Sequence, residues 1–189
     1  MAISLRLPAR LTDEEIMDLS QRNPGLHIEQ APSGELILTP PAFPDTGRRE
    51  AALLAQLYHW ATEQGEGSVF SPSSGFRLPD GSLRSPDASW VSRERWSALS
   101  PAQQKSFAPL CPDAVFEIRS SSDSASELRE KMRMYVANGA RLAVLIDPQS
   151  RAVEIYDPGR EPQVQKRAES VALGPVLPGF ILDLKPIFE

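Results

Sequence analysis

Asp87 and Glu117 stand where a purely structural strand would rarely carry a carboxylate. Asp87 opens a strand-like segment directly after Pro86. Because proline cannot donate to a β-ladder, we expect this acid to lie at an end of a sheet. Glu117 lies within the largely apolar segment 113–119, where the two-residue period of a strand places it on the same face as Arg119. An unpaired buried carboxylate is costly, so Glu117 needs a cationic partner or a metal ion.

A third carboxylate and a lysine occupy the apolar faces of two predicted helices. Glu50 precedes Leu53 and Leu57 by one and two helical turns, so it shares their buried stripe. Lys131 follows Leu128 by one turn and lies at the border of the apolar stripe of its own helix. Both side chains are therefore expected to point towards the interior.

Acids and an amine that converge at one end of a sheet are what a metal-dependent phosphodiester hydrolase requires. Mg²⁺ binds oxygen ligands and keeps several water molecules, so a few carboxylates are enough to hold it. The metal lowers the pKa of a bound water and shields the phosphate charge, while a lysine can orient or deprotonate that water. The combination predicts this chemistry more strongly than any single residue does.

Each of these residues also has a plain structural interpretation. Glu117 and Arg119 could form an ion pair on one face of the strand. Glu50 could pair with Arg48 or Arg49. The acid after the proline could cap a turn, and the lysine could be a solvated helix residue. The sequence alone leaves these alternatives open.

The elements that would position these residues alternate between helices and strands. Helices are predicted after a capping box at Thr12–Glu15, over 46–64 and over 127–138, with helical turns at 93–99 and 101–105. Strands are predicted at 26–30, 35–39, 68–71, 75–78, 87–91, 114–118, 142–146 and 153–156. Gly65 and Gly67 separate the long helix from the strands that follow it. This order predicts an α/β fold around a mixed sheet flanked by helices.

Four further predictions concern topology and assembly. The strands between 68 and 91 are expected to form a meander. The alternation within 153–156 indicates a half-exposed edge strand, and the segment 171–189 is expected to pack on the sheet. Because exposed edges and apolar patches invite pairing, the edge strand and the apolar segment 176–188 together predict a homodimer.

Length, charge and cysteine content exclude several classes of protein. The 189 residues suit one domain, which divides into an N-terminal helix and hairpin (1–44), a core (45–157) and a C-terminal extension (158–189). A net charge of −5 disfavours nucleic-acid binding by bulk positive charge, so such binding would rely on a local patch and be sensitive to salt. The single cysteine excludes an internal disulfide and a Cys-rich zinc site. With no signal-peptide pattern and no membrane-length apolar run, we expect a cytoplasmic protein.

Short motifs spread over nearly the whole chain follow one another in a characteristic order. They are Thr46–Arg49, Ser85-Pro86-Asp87, Pro112–Ser120, Ser122–Ser124, Glu130–Met132, Asn138-Gly139, Ile146–Pro148, Val153–Tyr156 and Leu177–Phe180. This series resembles the Uma family of bacterial restriction-endonuclease-like proteins, within the PD-(D/E)xK superfamily. The resemblance implies a restriction-endonuclease-like αβββαβ core, preceded here by a helix and a hairpin. It also implies hydrolysis of nucleic acid, with DNA as the expected substrate and Mg²⁺ or Mn²⁺ as the cofactor.

The resemblance implies a role for each candidate residue. Asp87 matches the acid of the PD half-motif and Glu117 the acid of the (D/E)xK half, so both would be catalytic metal ligands. Two residues after Glu117, where the superfamily usually has lysine, this chain has Arg119. Arginine stays protonated and cannot act as a general base, so Arg119 would contact a phosphate instead. Lys131 of the neighbouring helix would then supply the amine.

Two further residues and one alternative function complete this interpretation. Glu50 corresponds to a position that supplies an additional acid in some nucleases of the superfamily. Ser120 begins a serine-rich loop before a helix, which is expected to provide the helix cap and could also contact phosphate, since the two roles are compatible. The arginine in place of the usual lysine, together with the acidic net charge, leaves an alternative. The protein could be a catalytically inactive nuclease fold that binds nucleic acid or a partner protein.

Overall fold

A computed structural model describes residues 3–64 and 67–189, and Gly65 lies outside them. The helices are α1 (Asp13–Arg22), α2 (Pro44–Gln64), α3 (Arg93–Ser97), α4 (Pro101–Gln104), α5 (Ala125–Ala137) and α6 (Lys185–Phe188). The strands are β1 (Ile3–Leu5), β2 (His27–Gln30), β3 (Leu36–Thr39), β4 (Ser68–Phe70), β5 (Phe76–Arg77), β6 (Leu83–Arg84), β7 (Ala88–Val91), β8 (Ala114–Ile118), β9 (Leu142–Asp147), β10 (Ala152–Tyr156), β11 (Gln163–Lys166), β12 (Ser170–Ala172) and β13 (Ile181–Asp183). Among the described helices, none is long and apolar enough to cross a membrane.

The three longer helices form where the sequence periodicity predicts them. At the start of α1, the Thr12 hydroxyl accepts a hydrogen bond from the Glu15 N–H, and the Glu15 carboxylate accepts one from the Thr12 N–H at 2.8 Å. Helix α2 begins at Pro44, two residues before the predicted start, because proline suits the first turn of a helix. Ser124 caps α5, and Gly139 follows its end with a φ of +101° that favours glycine.

The central sheet carries the predicted mixed topology. Its strand order is β11-β10-β9-β8-β7-β4, in which β8 and β9 are parallel and the other neighbours are antiparallel. Phe116 and Ile118 pack with α2 and the C-terminal elements on one face, whereas Val115 packs with Met132 and Tyr135 of α5 on the other. The sequence α2-β4-β7-β8-α5-β9 is the expected αβββαβ core, so the predicted fold class is confirmed.

The prediction of a single meander between residues 68 and 91 is wrong. Strands β4 and β7 do pair in the central sheet. The hairpin of β5 and β6 between them instead joins a second sheet of order β1-β3-β2-β6-β5. Leu83 pairs with Gln30 of β2 and is buried in the core beneath the N-terminal hairpin. These two short strands therefore bring the N-terminal sheet against the central one.

Both features from which a homodimer was predicted lie in the interior. Strand β10 is buried throughout, because β11 pairs along its outer side. The polar alternation in β10 has another cause: Glu154 is ion-paired with Arg129 of α5. Most apolar side chains of the C-terminal segment are also interior, with Leu177, Leu182 and Ile187 fully buried beside α2 and Ile181 exposed. The separate prediction that the segment 171–189 packs on the sheet is confirmed.

Asp113 is a structural acid at the end of β8 opposite Glu117. Its side chain is 1% exposed, its Oδ2 accepts a hydrogen bond from the Ser92 N–H at 2.8 Å, and Arg95 Nη1 lies 3.0 Å from its Oδ1. We expect Asp113→Ala to lower the free energy of unfolding by about 1–3 kcal/mol, because it leaves the half-buried Ser92 amide without its acceptor. Urea denaturation would measure this loss, and the exposed Glu14→Ala is the matched control. A change no larger than the control's would contradict the structural role.

Candidate active site

The pairing of β7 with β8 brings the two predicted acids to one end of the central sheet. Ala88 pairs with Phe116 in antiparallel register. Asp87, one residue before Ala88, and Glu117, one residue after Phe116, come next in this register. Asp87 Oδ2 accepts a hydrogen bond from the Ile118 N–H at 2.6 Å, which fixes this carboxylate against β8. This end of the sheet, where β7 begins and β8 ends, is called the acid end below.

Helix α5 supplies the amine at the acid end. Lys131 Nζ lies 2.8 Å from Glu117 Oε1, and the Tyr135 hydroxyl donates to the same oxygen at 3.0 Å. A spacing of four residues places both side chains on one side of the helix. Lys131 therefore points inward, as its sequence position predicts, and the alternative of a solvated lysine is wrong.

A carboxylate from the N-terminal sheet completes the surroundings of this lysine. Glu29 of β2 is buried, and its Oε1 lies 3.3 Å from Lys131 Nζ. The Ser85 N–H donates to the same oxygen at 2.8 Å, and Arg84 Nη1 lies 3.3 Å from Oε2. No local sequence pattern points to Glu29, because its partners depend on how two sheets pack.

Burial dominates the titration of the two acids. It raises the pKa of Asp87 to about 7, although the hydrogen bond from the Ile118 amide opposes the shift and the negative charge of Glu50 adds to it. Burial also raises the pKa of Glu117 to about 8, against the attraction of Lys131 and with the repulsion of Asp87. The positive charge around these two acids is therefore too small to keep both fully ionised at neutral pH.

The Lys131–Glu29 pair behaves in the opposite way. Burial would lower the pKa of Lys131, but the charges of Glu117 and Glu29 outweigh it, so the pKa lies above its usual value. Burial would raise the pKa of Glu29, but Lys131 and Arg84 outweigh it, so that pKa lies below its usual value. At neutral pH this pair is an ammonium and a carboxylate. Lys131 is therefore suited to orienting a water or an anion rather than to deprotonating it.

Glu50 approaches the two acids from α2. It is half-buried, and burial together with the charge of Glu117 raises its pKa. The alternative in which it pairs with a neighbouring arginine is wrong, because Arg48 and Arg49 both bind Asp45, at 3.4 and 2.9 Å. Glu50 is thus a third acid directed towards the acid end.

Arg119 and Ser120 lie at the acid end but contact partners other than the two acids. Arg119 Nη1 is 3.0 Å from Asp147 Oδ2 of β9, and its Nε donates to the Asp123 carbonyl at 3.2 Å. The predicted alternative of a Glu117–Arg119 ion pair is therefore wrong. The Ser120 N–H donates to the Asp123 carboxylate at 2.8 Å, which closes the serine-rich loop on itself. That loop does provide the helix cap, through Ser124.

The comparisons with known proteins agree with this architecture. A family model described as "Putative restriction endonuclease" and named Uma2 matches residues 13–185. The chain belongs to the Uma2 family. Its fold is similar to the crystal structure of a putative nuclease from Anabaena variabilis, with a TM-score of 0.75 and 20% sequence identity over 94% of this chain and 97% of that one. No curated protein matches the chain. Family and fold together identify a restriction-endonuclease-like nuclease.

The donor atoms of the Uma2 acid end suit a hard cation. In the described part of the chain, no three His, Cys, Asp or Glu side chains are already grouped as a metal site. Asp87 and Glu117 each use one oxygen in the hydrogen bonds above, and the other oxygen of each has no hydrogen-bond partner among the described residues. A cation that keeps several waters needs only such a small set of carboxylate ligands. The residues present therefore fit Mg²⁺ or Mn²⁺.

Glu29 positions Lys131, and its charge should matter for turnover. We expect Glu29→Gln to lower the cleavage rate constant by roughly 10–100-fold, as outer ligand-orienting groups do, because the amine loses one of its two anchors. The metal concentration for half-maximal activity should change little. Steady-state cleavage assays would test both, beside Glu35→Gln, just before the neighbouring strand β3, as control. Wild-type turnover in Glu29→Gln would remove Glu29 from the site.

Proposed function

We propose that this Uma2 protein is an endonuclease that hydrolyses phosphodiester bonds in DNA with Mg²⁺ or Mn²⁺. The observation that carries the proposal is the 2.8 Å contact between Lys131 and Glu117 at the end of the sheet that also holds Asp87. The helix thereby places an amine beside the acid, where the strand itself offers Arg119. We expect the enzyme to act in the cytoplasm, where its single buried cysteine stays reduced.

Asp87 and Glu117 would hold the cation through their unpaired oxygens, with Glu50 as an auxiliary ligand or orienting group. When bound, the metal supplies a water of lowered pKa and offsets the negative charge of the phosphate. The raised pKa values of both acids support this assignment, since a cation is the missing charge that would favour their ionised forms.

The remaining groups act on the water and the phosphate. Lys131 is an ammonium held between Glu29 and Glu117, so it would donate a hydrogen bond that orients the attacking water. Arg119 keeps its guanidinium at the acid end through Asp147, and it would contact a phosphate flanking the cut. Ser120 would add a hydroxyl contact in the same loop.

The alternative function is a catalytically inactive nuclease fold that binds nucleic acid or a partner protein. The arginine at position 119 and the acidic net charge motivate it. The position of Lys131 weakens the first motive, because the amine reaches Glu117 from α5. Metal-independent binding of nucleic acid without any turnover would favour this alternative.

The test is a cleavage assay over substrates that cover many target sequences. Supercoiled plasmid, long genomic DNA, single-stranded DNA and RNA are incubated with protein in Mg²⁺ or Mn²⁺, beside Asp87→Ala and Glu117→Ala variants of verified fold. We expect wild type alone to cut DNA, and EDTA to stop it. Calorimetric titration with Mn²⁺ gives a second readout that needs no target sequence. Absence of both cleavage and Mn²⁺ binding would overturn the proposal.

A further inference from the structure

A basic groove opens on the side of α5 away from Lys131. It lies between α5 and the strands β9, β10 and β11, and encloses about 630 Å³. Its charged lining consists of Arg119, Arg129, Arg133, Lys166, Asp147 and Glu154. We call it the α5–β11 groove.

Each acid of the α5–β11 groove is already matched by an arginine. Arg129 binds Glu154 through Nε at 3.0 Å and through Nη2 at 2.7 Å. Arg119 binds Asp147 at 3.0 Å. Such paired contacts hold a guanidinium in a defined orientation and leave other N–H groups free to donate.

Two cations of the groove have no such partner. Arg133 and Lys166 are exposed, and neither forms an ion pair with any residue in the ranges 3–64 and 67–189. Four basic and two acidic side chains give the lining a net charge of +2, on a chain whose net charge is −5. The groove is therefore the kind of local positive patch that an acidic protein needs in order to bind a polyanion.

The groove begins at the acid end and runs along α5. Lys166 pairs with Ala152, which in turn pairs with the last residue of β9, so the basic strand end lies beside the loop that follows β8. Ala125 and Arg133 line the groove two helical turns apart, a rise of about 12 Å. One strand of duplex DNA presents a phosphate about every 3.4 Å of its axis. The groove is thus long enough for several consecutive phosphates.

We propose that the α5–β11 groove binds the phosphodiester backbone of the nucleic-acid substrate next to the cut. Arg133 and Lys166 make direct phosphate contacts from the helix wall and the strand wall, while Arg119 and Arg129 hold the backbone between them. This inference rests on the proposed function and adds the surface that carries the substrate to the acid end. The contacts are to phosphates, so they set register and affinity but read no sequence.

Arg133 and Lys166 are exposed on two separate walls of the groove, and this arrangement favours an extended polyanion over a small enclosed anion as the ligand. A buried anion site would surround its ligand with inward-pointing donors, whereas here the unpaired charges line an open track. Binding should accordingly be insensitive to the base sequence and strongly sensitive to salt.

Binding of a fluorescent random-sequence duplex, followed by anisotropy in EDTA over a salt series, tests the groove without cleavage. The double variant Arg133→Ala/Lys166→Ala should bind roughly 10–100-fold more weakly at low salt, and its slope of log affinity against log salt should be shallower by about 1.8, the value for two lost phosphates. The control double variant Arg22→Ala/Lys105→Ala removes two exposed cations elsewhere and should keep the wild-type slope.

The outcomes separate this inference from the proposed function. Wild-type affinity and slope in the groove variant, with cleavage by wild type intact, would overturn the groove and leave the nuclease. The expected loss of slope in the groove variant, with neither cleavage nor Mn²⁺ binding by wild type, would remove the nuclease and leave the groove.

Photo-cross-linking locates the contact directly. Cys111 is buried, so Arg133→Cys gives one accessible thiol for a photoactivatable reagent. We expect this variant to cross-link to the labelled duplex, and Lys105→Cys, treated in the same way, to remain free. Equal cross-linking by the two variants would contradict the groove.

Discussion

Asp87→Asn should fold normally and lose metal-dependent cleavage by on the order of 10³-fold or more. Asparagine keeps an oxygen that can accept the hydrogen bond from the Ile118 N–H, so the strand end stays in place. It removes the negative charge that would bind the cation, and a metal contributes several kcal/mol of transition-state stabilisation, each 1.4 kcal/mol of which is about tenfold in rate. Initial rates on plasmid DNA, with Mn²⁺ affinity by calorimetry, measure both effects.

The control for this loss is Asp18→Asn, which neutralises an exposed acid on α1. It should cleave at the wild-type rate. Wild-type cleavage and Mn²⁺ affinity in Asp87→Asn would show that Asp87 is a plain strand-end acid, and the metal site would have to be sought elsewhere.

Asp87→Asn should also stabilise the metal-free protein. The pKa of Asp87 is raised to about 7 in the folded protein from a usual value near 3.8. Ionising Asp87 therefore costs more free energy in the folded state than in the unfolded chain, and this lowers the free energy of unfolding. The free energy of unfolding of the wild type, relative to that of Asp87→Asn, should therefore be highest below pH 4 and should fall as pH rises through 7. In EDTA at pH 8 we expect the variant to be more stable by about 1–3 kcal/mol. Urea denaturation at pH 4.5 and pH 8 tests this, and a pH-independent difference would contradict it.

The part of the site that follows local periodicity could be predicted from the sequence. The strand Ala114–Ile118 has the predicted bounds, and the two-residue period correctly sets Glu117 apart from Phe116. The helical spacing around Lys131 correctly turns the amine inward. These predictions succeed because the direction of a side chain depends on the dihedral angles of its own element.

The part that depends on packing between distant segments could not be predicted. Glu29 meets Lys131 only because the short β5–β6 hairpin joins the N-terminal sheet, a pairing that rests on one Gln30–Leu83 contact in register. A two-residue strand carries almost no periodic signal. The error at β10 has the same origin: Glu154 looks like a solvated edge residue until α5 places Arg129 over it.

Lys131→Met should damage both stability and turnover. Removing the ammonium leaves the buried side chains of Glu29 and Glu117 without their shared partner, and breaking the buried ion pair with Glu29 in this way costs about 3–5 kcal/mol. Loss of the group that orients the water should lower the cleavage rate by roughly 10²–10⁴-fold. Lys105→Met, on an exposed helix end, is the matched control.

The pH dependence of the Lys131→Met variant separates this account from simple loss of packing. Without the lysine, the folded-state pKa values of Glu117 and Glu29 must rise, since repulsion and burial both act against their ionised forms. A raised acid pKa gives stability that is present at low pH and lost as pH rises through it. The variant should therefore recover part of its deficit in unfolding free energy between pH 8 and pH 5, as followed by urea denaturation. A deficit of the same size at every pH would mean that Lys131 acts through its aliphatic chain, and its charge would then have no place in the site.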